Sequence, residues 1–111
     1  MLAERDPKET VVVVPCFDEA ARLDSARFAG FARAERSMRF LFVDDGSRDR
    51  TREVLLALAQ SSTRVDVLAL ERNAGKGEAI RRGMLRAFEL EPAFVAYFDA
   101  DLATPLEELD P

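Results

Sequence analysis

A continuous run of β-branched residues near the start of the chain is the strongest constraint on the fold. Residues 10–14 have the sequence TVVVV, and Pro15 follows them. A run with no alternation of apolar and polar residues is typical of a strand covered on both faces, as in a parallel sheet. Proline has no backbone N–H for a sheet hydrogen bond, so we expect this strand to stop at Pro15.

Three further apolar runs alternate with segments of helical spacing. The runs predict strands at residues 39–43, 65–70 and 94–98, and the segments predict helices at residues 23–36, 51–59 and 78–90. Asp24 or Ser25 is the predicted cap of the first helix. The apolar spacing of the third helix predicts an inward face made of Ile80, Met84, Leu85 and Phe88.

This alternation of strands and helices, joined by short polar loops, predicts the fold class. Consecutive βαβ units are right-handed and place helices on both faces of a parallel sheet. We therefore expect an α/β protein with a Rossmann-like three-layer α/β/α architecture and a mainly parallel sheet.

Composition excludes several classes of function. The chain of 111 residues has a net charge of −5, so no basic face for nucleic acid is expected. It contains no histidine, which excludes His-ligated zinc and a Ser-His-Asp triad. Cys16 is the only cysteine and cannot form an intrachain disulfide, which favours a cytoplasmic location. No apolar run approaches the roughly 20 residues that span a bilayer, although the parent protein could work at the cytoplasmic face of a membrane.

The segments that follow the four strands are the most unusual stretches of the sequence. They are residues 15–19, 44–49, 71–77 and 99–104. In a parallel α/β sheet, ligands bind beyond the carboxyl ends of the strands. The sequence therefore predicts one composite site built from these four segments.

Asp99 and Asp101 suggest a metal site in the last of these segments. Carboxylate oxygens are the ligands that hard divalent cations such as Mg²⁺ and Mn²⁺ prefer. By itself the pair fits an ordinary acidic turn better. Beside a cationic loop and a nucleotide-like pocket, a cation that bridges the carboxylates to a diphosphate becomes the better interpretation.

The third segment is short and cationic, and it opens the third predicted helix. Its residues 72–77 have the sequence RNAGKG. Backbone N–H groups at a helix start, together with Lys76, can hold a diphosphate. The spacing is not that of a Walker A loop. A helix start that merely carries surface charges is the alternative.

The first two segments supply aromatic and acidic side chains. Asp44 or Asp45 can accept hydrogen bonds from a base or a ribose, and for one of the two a role within the turn is the stronger interpretation. Phe17 can pack on a base, and Glu19 can reach a ribose or order its loop. Cys16 is interpreted as a packed residue, because no histidine is present to activate it.

Taken in order, four segments resemble the nucleotide-binding half of a family 2 glycosyltransferase of the GT-A fold. They are residues 11–20 (VVVVPCFDEA), 42–51 (FVDDGSRDRT), 73–79 (NAGKGEA) and 99–102 (DADL). Residues 101–105 (DLATP) are similar to those of enzymes that glycosylate polyprenyl (dolichyl) phosphate. The family often has tyrosine and asparagine at the positions of Phe17 and Asp18, so contacts from that hydroxyl and amide are not carried over.

The resemblance implies inverting transfer of a sugar from a nucleoside diphosphate sugar, with uridine favoured and guanosine as the runner-up. A polyprenyl phosphate is a candidate acceptor. The implied nucleotide-sugar-binding residues are Pro15, Phe17, Glu19, Asp44, Asp45, Lys76 and Asp99. Asp99 and Asp101 would form the DXD motif of the family and hold Mg²⁺ or Mn²⁺.

In the family, the general base and the acceptor-binding segments lie beyond the DXD motif, whereas only ten residues follow Asp101 here. We therefore expect residues 1–111 to be the nucleotide-sugar-binding half of a longer enzyme, without the acceptor half and inactive alone. We also expect self-association through an exposed sheet edge. A stand-alone nucleotide-binding module is the alternative. A phosphoryl-transfer domain is disfavoured, because such domains place key acids after the first strand.

Overall fold

The computed structural model describes residues 9–34 and 37–100. In that part of the chain, seven elements follow one another: β1 Thr10–Cys16, α1 Ser25–Ala34, β2 Met38–Asp44, α2 Thr51–Ser61, β3 Val65–Ala69, α3 Lys76–Phe88 and β4 Phe94–Tyr97. Their order is the predicted one, and each end lies within two residues of its expected position. None of the described helices is long and apolar enough to cross a membrane.

The four strands form one parallel sheet in the order β3-β2-β1-β4. The central strands are covered on both faces, as the apolar runs predict, and every residue of β2 is buried. Cys16 pairs with Asp44, and Asp44 pairs in turn with Ala69. The carboxyl ends of β1, β2 and β3 therefore meet at one edge of the sheet.

Helices cover both faces of this sheet. On one face, the Phe28 ring of α1 packs edge-on against Phe40 and Phe42 of β2, with centroid distances of 5.4 and 5.1 Å. Leu55 and Leu58 of α2 belong to the same core cluster. The opposite core cluster joins valines of β1 and β2 to alanines of α3. The three-layer α/β/α architecture is confirmed, and the Asp24 side chain accepts a hydrogen bond from the Arg27 N–H as the predicted cap of α1.

The predicted stop of the first strand at Pro15 is wrong, because β1 continues to Cys16. The Phe98 N–H donates to the Val13 carbonyl at 3.0 Å, so this carbonyl faces β4. Pro15 lies two residues later and has its nitrogen on the same side. The pairing of β4 with β1 ends where Tyr97 lies opposite Val13. Among the described residues, no strand therefore lies beside the nitrogen of Pro15, and the N–H that proline lacks costs no sheet hydrogen bond.

The predicted inward face of the third helix is partly wrong. Leu85 and Phe88 are 54% and 59% exposed, and Ile80 and Met84 are only half-buried. The residues of α3 that are buried are instead the small ones: Ala79, Gly83 and Ala87.

A close approach between α3 and the sheet explains this difference. A Cβ atom added at Gly83 would lie 2.5 Å from Val13 Cγ1 and 2.8 Å from Val43 Cγ2. Real Cβ atoms essentially never come so near to other atoms, so the distance between helix and sheet at this position fits glycine. Apolar spacing predicts where a helix forms, but it does not show how closely that helix packs.

β4 forms one edge of the sheet in the described part of the chain. Phe94 and Tyr97 on this strand are 68% and 46% exposed. An open strand edge with exposed aromatic side chains is a surface for association. The self-association expected from the sequence stays a prediction.

Candidate functional site

The carboxyl edge of the sheet carries a cleft of about 420 Å³. This volume lies within the range of small-ligand sites in proteins. All four predicted segments contribute to its walls. Six of the predicted site residues line it: Pro15, Phe17, Glu19, Asp45, Lys76 and Asp99. Asn73 and Gly75, which are not among the predicted site residues, also line the cleft.

Asp44 is a predicted site residue that the structure does not place among the lining residues. Its side chain is fully buried, and its two oxygens accept hydrogen bonds from the Ser47 N–H at 3.1 Å and from Arg52 Nε at 3.0 Å. Arg52 also donates to the Leu70 carbonyl at 3.1 Å. Asp44 therefore fastens the turn after β2 to α2 and to the end of β3.

Asp45 lines the cleft and holds the loop that opens α3. This residue is only 3% exposed. Its carboxylate accepts hydrogen bonds from the Ala74 N–H at 2.7 Å, the Gly75 N–H at 3.1 Å and Asn73 Nδ2 at 3.1 Å. With three donors around one carboxylate, the main effect of Asp45 is to fix the shape of this loop.

A second set of hydrogen bonds joins the loops that follow β1 and β2. The Asp18 carboxylate accepts from the Arg48 N–H at 2.8 Å and from Arg48 Nη2 at 3.2 Å. The hydrogen bond from the Arg48 amide, followed by that from its side chain, holds the pKa of Asp18 below its ordinary value. The Asp18 N–H donates in return to Ser47 Oγ at 3.0 Å. Asp18 thus connects the two loops, a structural role that was not predicted from the sequence.

Glu19 lies where these loops meet the start of α2. Its N–H donates to Thr51 Oγ1 at 2.8 Å, and the Asp49 carboxylate accepts from the Thr51 N–H at 2.9 Å. Glu19 Oε2 is buried and accepts no hydrogen bond among the described residues. Arg22 Nη2 lies 3.1 Å from this oxygen, but its N–H groups are not aligned with it. Glu19 itself lines the cleft, so its carboxylate is placed to accept a hydrogen bond from a ligand.

Phe17 and Cys16 complete the wall after β1. The Phe17 ring is half-buried, and the Arg48 guanidinium carbon lies 5.5 Å from its centroid. Cys16 is only 2% exposed. Burial, and then the neighbouring Glu19 and Asp44 carboxylates, raise the pKa of the Cys16 thiol far above its ordinary value. A thiol that stays protonated is not a nucleophile, in agreement with its interpretation as a packed residue.

The N-terminus of α3 opens toward the same cleft. Lys76 is its first residue, and the preceding Gly75, with a φ of +94°, has no side chain that could cap the helix. Glu78 in the first turn is turned toward arginines, and hydrogen bonds from Arg81 and then Arg82 lower its pKa to about 2. Uncapped N–H groups at the positive end of a helix favour an anion.

Lys76 faces an acid across the cleft. Its Nζ lies 2.8 Å from Asp99 Oδ1 and 5.6 Å from the centre of the Tyr97 ring. The hydrogen bond to Asp99 is the main cause of the raised pKa of Lys76. Asp99 thus offers the carboxylate oxygens that a hard cation prefers, but a cation at this position would compete with the Lys76 ammonium.

The second predicted metal ligand, Asp101, lies outside the described residues. Within residues 9–34 and 37–100, no group of three or more histidine, cysteine, aspartate or glutamate side chains is arranged to hold a metal ion. A cation at Asp99 would therefore need further oxygen ligands from outside that part of the chain, or from a bound diphosphate.

Two comparisons with solved structures agree on the fold. Residues 1–349 of Staphylococcus aureus TarS, in complex with UDP, superpose with a TM-score of 0.70 at 23% identity, covering 84% of this chain and 27% of that one. The mannosyltransferase PcManGT of Pyrobaculum calidifontis, in complex with GDP-Man and Mn²⁺, gives 0.65 at 20% identity over 92% and 35% of the two chains. The fold is that of the GT-A glycosyltransferases.

Sequence comparison identifies the family. The sequence model of glycosyl transferase family 2 matches residues 11–111, and the chain belongs to this family. The human dolichyl-phosphate beta-glucosyltransferase is 35% identical over 93% of this chain and 34% of its own length. The undecaprenyl-phosphate 4-deoxy-4-formamido-L-arabinose transferase of Pseudomonas aeruginosa is 35% identical over 88% and 29%. The chain therefore spans about a third of the length of these relatives.

Proposed function

We propose that residues 1–111 form the donor-binding part of a glycosyltransferase that takes its sugar from a nucleoside diphosphate sugar, with Mg²⁺ or Mn²⁺ as cofactor. One observation carries the proposal. A single cleft combines the uncapped start of α3, the Lys76 ammonium and the Asp99 carboxylate with the carboxylate of Glu19. These groups can bind the two parts of a nucleotide separately. The helix start and Lys76 are suited to the diphosphate, and Glu19 is suited to a hydroxyl group.

The nucleoside is assigned to the wall after β1. Phe17 offers a half-buried ring to a base, and the Glu19 carboxylate is assigned a hydrogen bond from a ribose hydroxyl or a base N–H. Pro15 borders the same space. Asp45 acts mainly through the loop it holds, because its carboxylate already accepts three hydrogen bonds.

The diphosphate is assigned to the start of α3. The N–H groups of the first turn and the Lys76 ammonium are the donors that phosphate oxygens take at such positions. Asp99, together with Asp101, is assigned to the metal. When bound, the metal would stabilise the negative charge that develops on the departing diphosphate. Uridine is the favoured base and guanosine the runner-up, and UDP and GDP-Man are bound by the two structural neighbours described above.

The acceptor is assigned to the class of polyprenyl phosphates, because both relatives are named for a dolichyl or undecaprenyl phosphate. This acceptor would place the parent enzyme at the cytoplasmic face of a membrane. The described cleft carboxylates are assigned to donor binding, so the general base is sought beyond Pro111. The proposal accordingly gives residues 1–111 donor binding without sugar transfer.

Calorimetric titration tests this function. With Mn²⁺ present, we expect UDP to bind more tightly than in the presence of a chelator, by a factor of about 10 or more, because the cation offsets the repulsion between the diphosphate and the acidic cleft. GDP titrated under the same conditions measures the preference for the base. Equal UDP affinity with and without metal would contradict the metal role, and absence of binding to both nucleotides would contradict the proposed function.

A further inference from the structure

The ion pair between Lys76 and Asp99 joins the two halves of the proposed donor site. Lys76 belongs to the helix start assigned to the diphosphate, and Asp99 is the residue assigned to the metal. Their Nζ and Oδ1 atoms lie 2.8 Å apart. The side chains are 59% and 45% exposed, so each can move without disturbing the core.

This pairing conflicts with metal binding. An ammonium group and a divalent cation that share one carboxylate would repel each other strongly at such short distances. A metal that binds Oδ1 of Asp99 would therefore compete with the Lys76 ammonium for this oxygen. An exposed ion pair contributes little to stability, so breaking it is feasible if the ammonium has another partner to which it can move.

A bound nucleotide would supply such a partner next to Lys76. Lys76 is the first residue of α3, and its flexible four-carbon side chain starts beside the uncapped N–H groups of this helix. A diphosphate bound there would give the ammonium a new anionic partner. Metal alone would bring no new anion to this position.

We propose that Lys76 is an exchangeable counterion, which neutralises Asp99 in the free protein and moves to the diphosphate when metal and nucleotide bind together. The inference rests on the proposed function. It makes binding of metal and nucleotide cooperative. When the metal takes the Asp99 carboxylate, the diphosphate of the nucleotide provides a new anionic partner for the Lys76 ammonium.

Titration of Mn²⁺, followed by the electron paramagnetic resonance of the free ion, tests this exchange without an activity assay. In Lys76→Met, we expect the affinity for Mn²⁺ alone to rise by about 5-fold or more, and the further gain on adding saturating UDP to shrink by a similar factor. Arg86→Met is the matched control, because it removes one positive charge from the same helix about 15 Å away. Equal affinities for Mn²⁺ alone in the two variants would overturn the exchange.

Asp99→Asn separates the two levels of the proposal. If this variant binds Mn²⁺ with UDP less tightly than the wild type, the metal role of Asp99 stands and the Lys76→Met result decides the exchange. If its affinity equals that of the wild type, the metal role of Asp99 is wrong and the exchange is overturned with it.

The movement of Lys76 can also be followed directly. The chain has only two lysines, Lys8 and Lys76, so lysine labelled with ¹³C at Cε gives two signals, and Lys76→Met assigns them. We expect the Lys76 signal to shift with Mg²⁺ and UDP together, and much less with Mg²⁺ alone. A Lys76 signal that does not move while UDP binds would contradict the exchange.

Discussion

Replacement of Gly46 by alanine is expected to lower the free energy of unfolding by at least about 3 kcal/mol and to abolish nucleotide binding. Gly46 has a φ of +66°, a backbone conformation that residues with a side chain rarely adopt. An added Cβ atom would also lie 2.3 Å from the Asn73 nitrogen and 2.4 Å from the Arg72 carbonyl carbon. Both neighbours are backbone atoms, so relieving the contact requires the loops after β2 and β3 to separate.

Two other glycines provide controls for this effect. Gly75 also has a positive φ, of +94°, but no atom lies within 4 Å of an added Cβ, so Gly75→Ala should cost only the backbone strain of about 1–3 kcal/mol. Gly30 lies in α1 with open space around it, and Gly30→Ala should stabilise by up to about 1 kcal/mol. Unfolding in urea measures the free energy of unfolding of the three variants. Equal losses in Gly46→Ala and Gly75→Ala would show that the two loops are not in contact.

Asp45→Asn is expected to cost about 2–4 kcal/mol, although it changes only one atom of the side chain. The Asp45 carboxylate accepts hydrogen bonds from two backbone N–H groups and the Asn73 side chain. An amide has one oxygen, and its NH₂ group would face donors instead of acceptors. The loop of residues 73–75 should therefore loosen, and UDP affinity should fall together with stability.

Asp24→Asn is the matched control for the loss of the carboxylate charge. The Asp24 side chain caps α1 through the Arg27 N–H at 3.1 Å, and asparagine caps helices about equally well. We expect this variant to stay within about 0.5 kcal/mol of the wild type in urea unfolding. If Asp45→Asn were as stable as Asp24→Asn, the Asp45 carboxylate would not be what holds the loop.

The sequence predicts the architecture well because hydrophobic patterning alone determines much of it. The apolar run of residues 10–14 belongs to a central strand of the sheet, and the alternation of elements gives a three-layer fold. The predictions are wrong at positions where the structure depends on the packing distance between elements or on the pairing of strands. Pro15 is tolerated because of where β4 ends, and α3 buries small residues because it lies close to the sheet.

The site was predictable as a set of loops, since the carboxyl ends of parallel strands must meet. The division of roles within each loop was not predictable. Nothing in the sequence Asp44-Asp45 shows that the first acid turns to Arg52 and the second to the loop before α3. The pairing of Lys76 with Asp99 likewise depends on the distance between α3 and β4, and a linear motif does not contain that distance.

The most direct test of a single donor site is to map UDP binding on the amide spectrum of ¹⁵N-labelled protein in the presence of Mg²⁺. We predict that the largest shifts fall on residues 16–19, 45–47, 73–77 and 99–100, which belong to four separate segments of the chain. The buried ion pair between Glu9 and Arg39 lies beside the first residues of β1 and β2, and its Oε1 and Nε atoms are 3.3 Å apart. The amide signals near this ion pair should not shift. Shifts confined to one loop, or centred on that ion pair, would contradict a composite site at the carboxyl edge of the sheet.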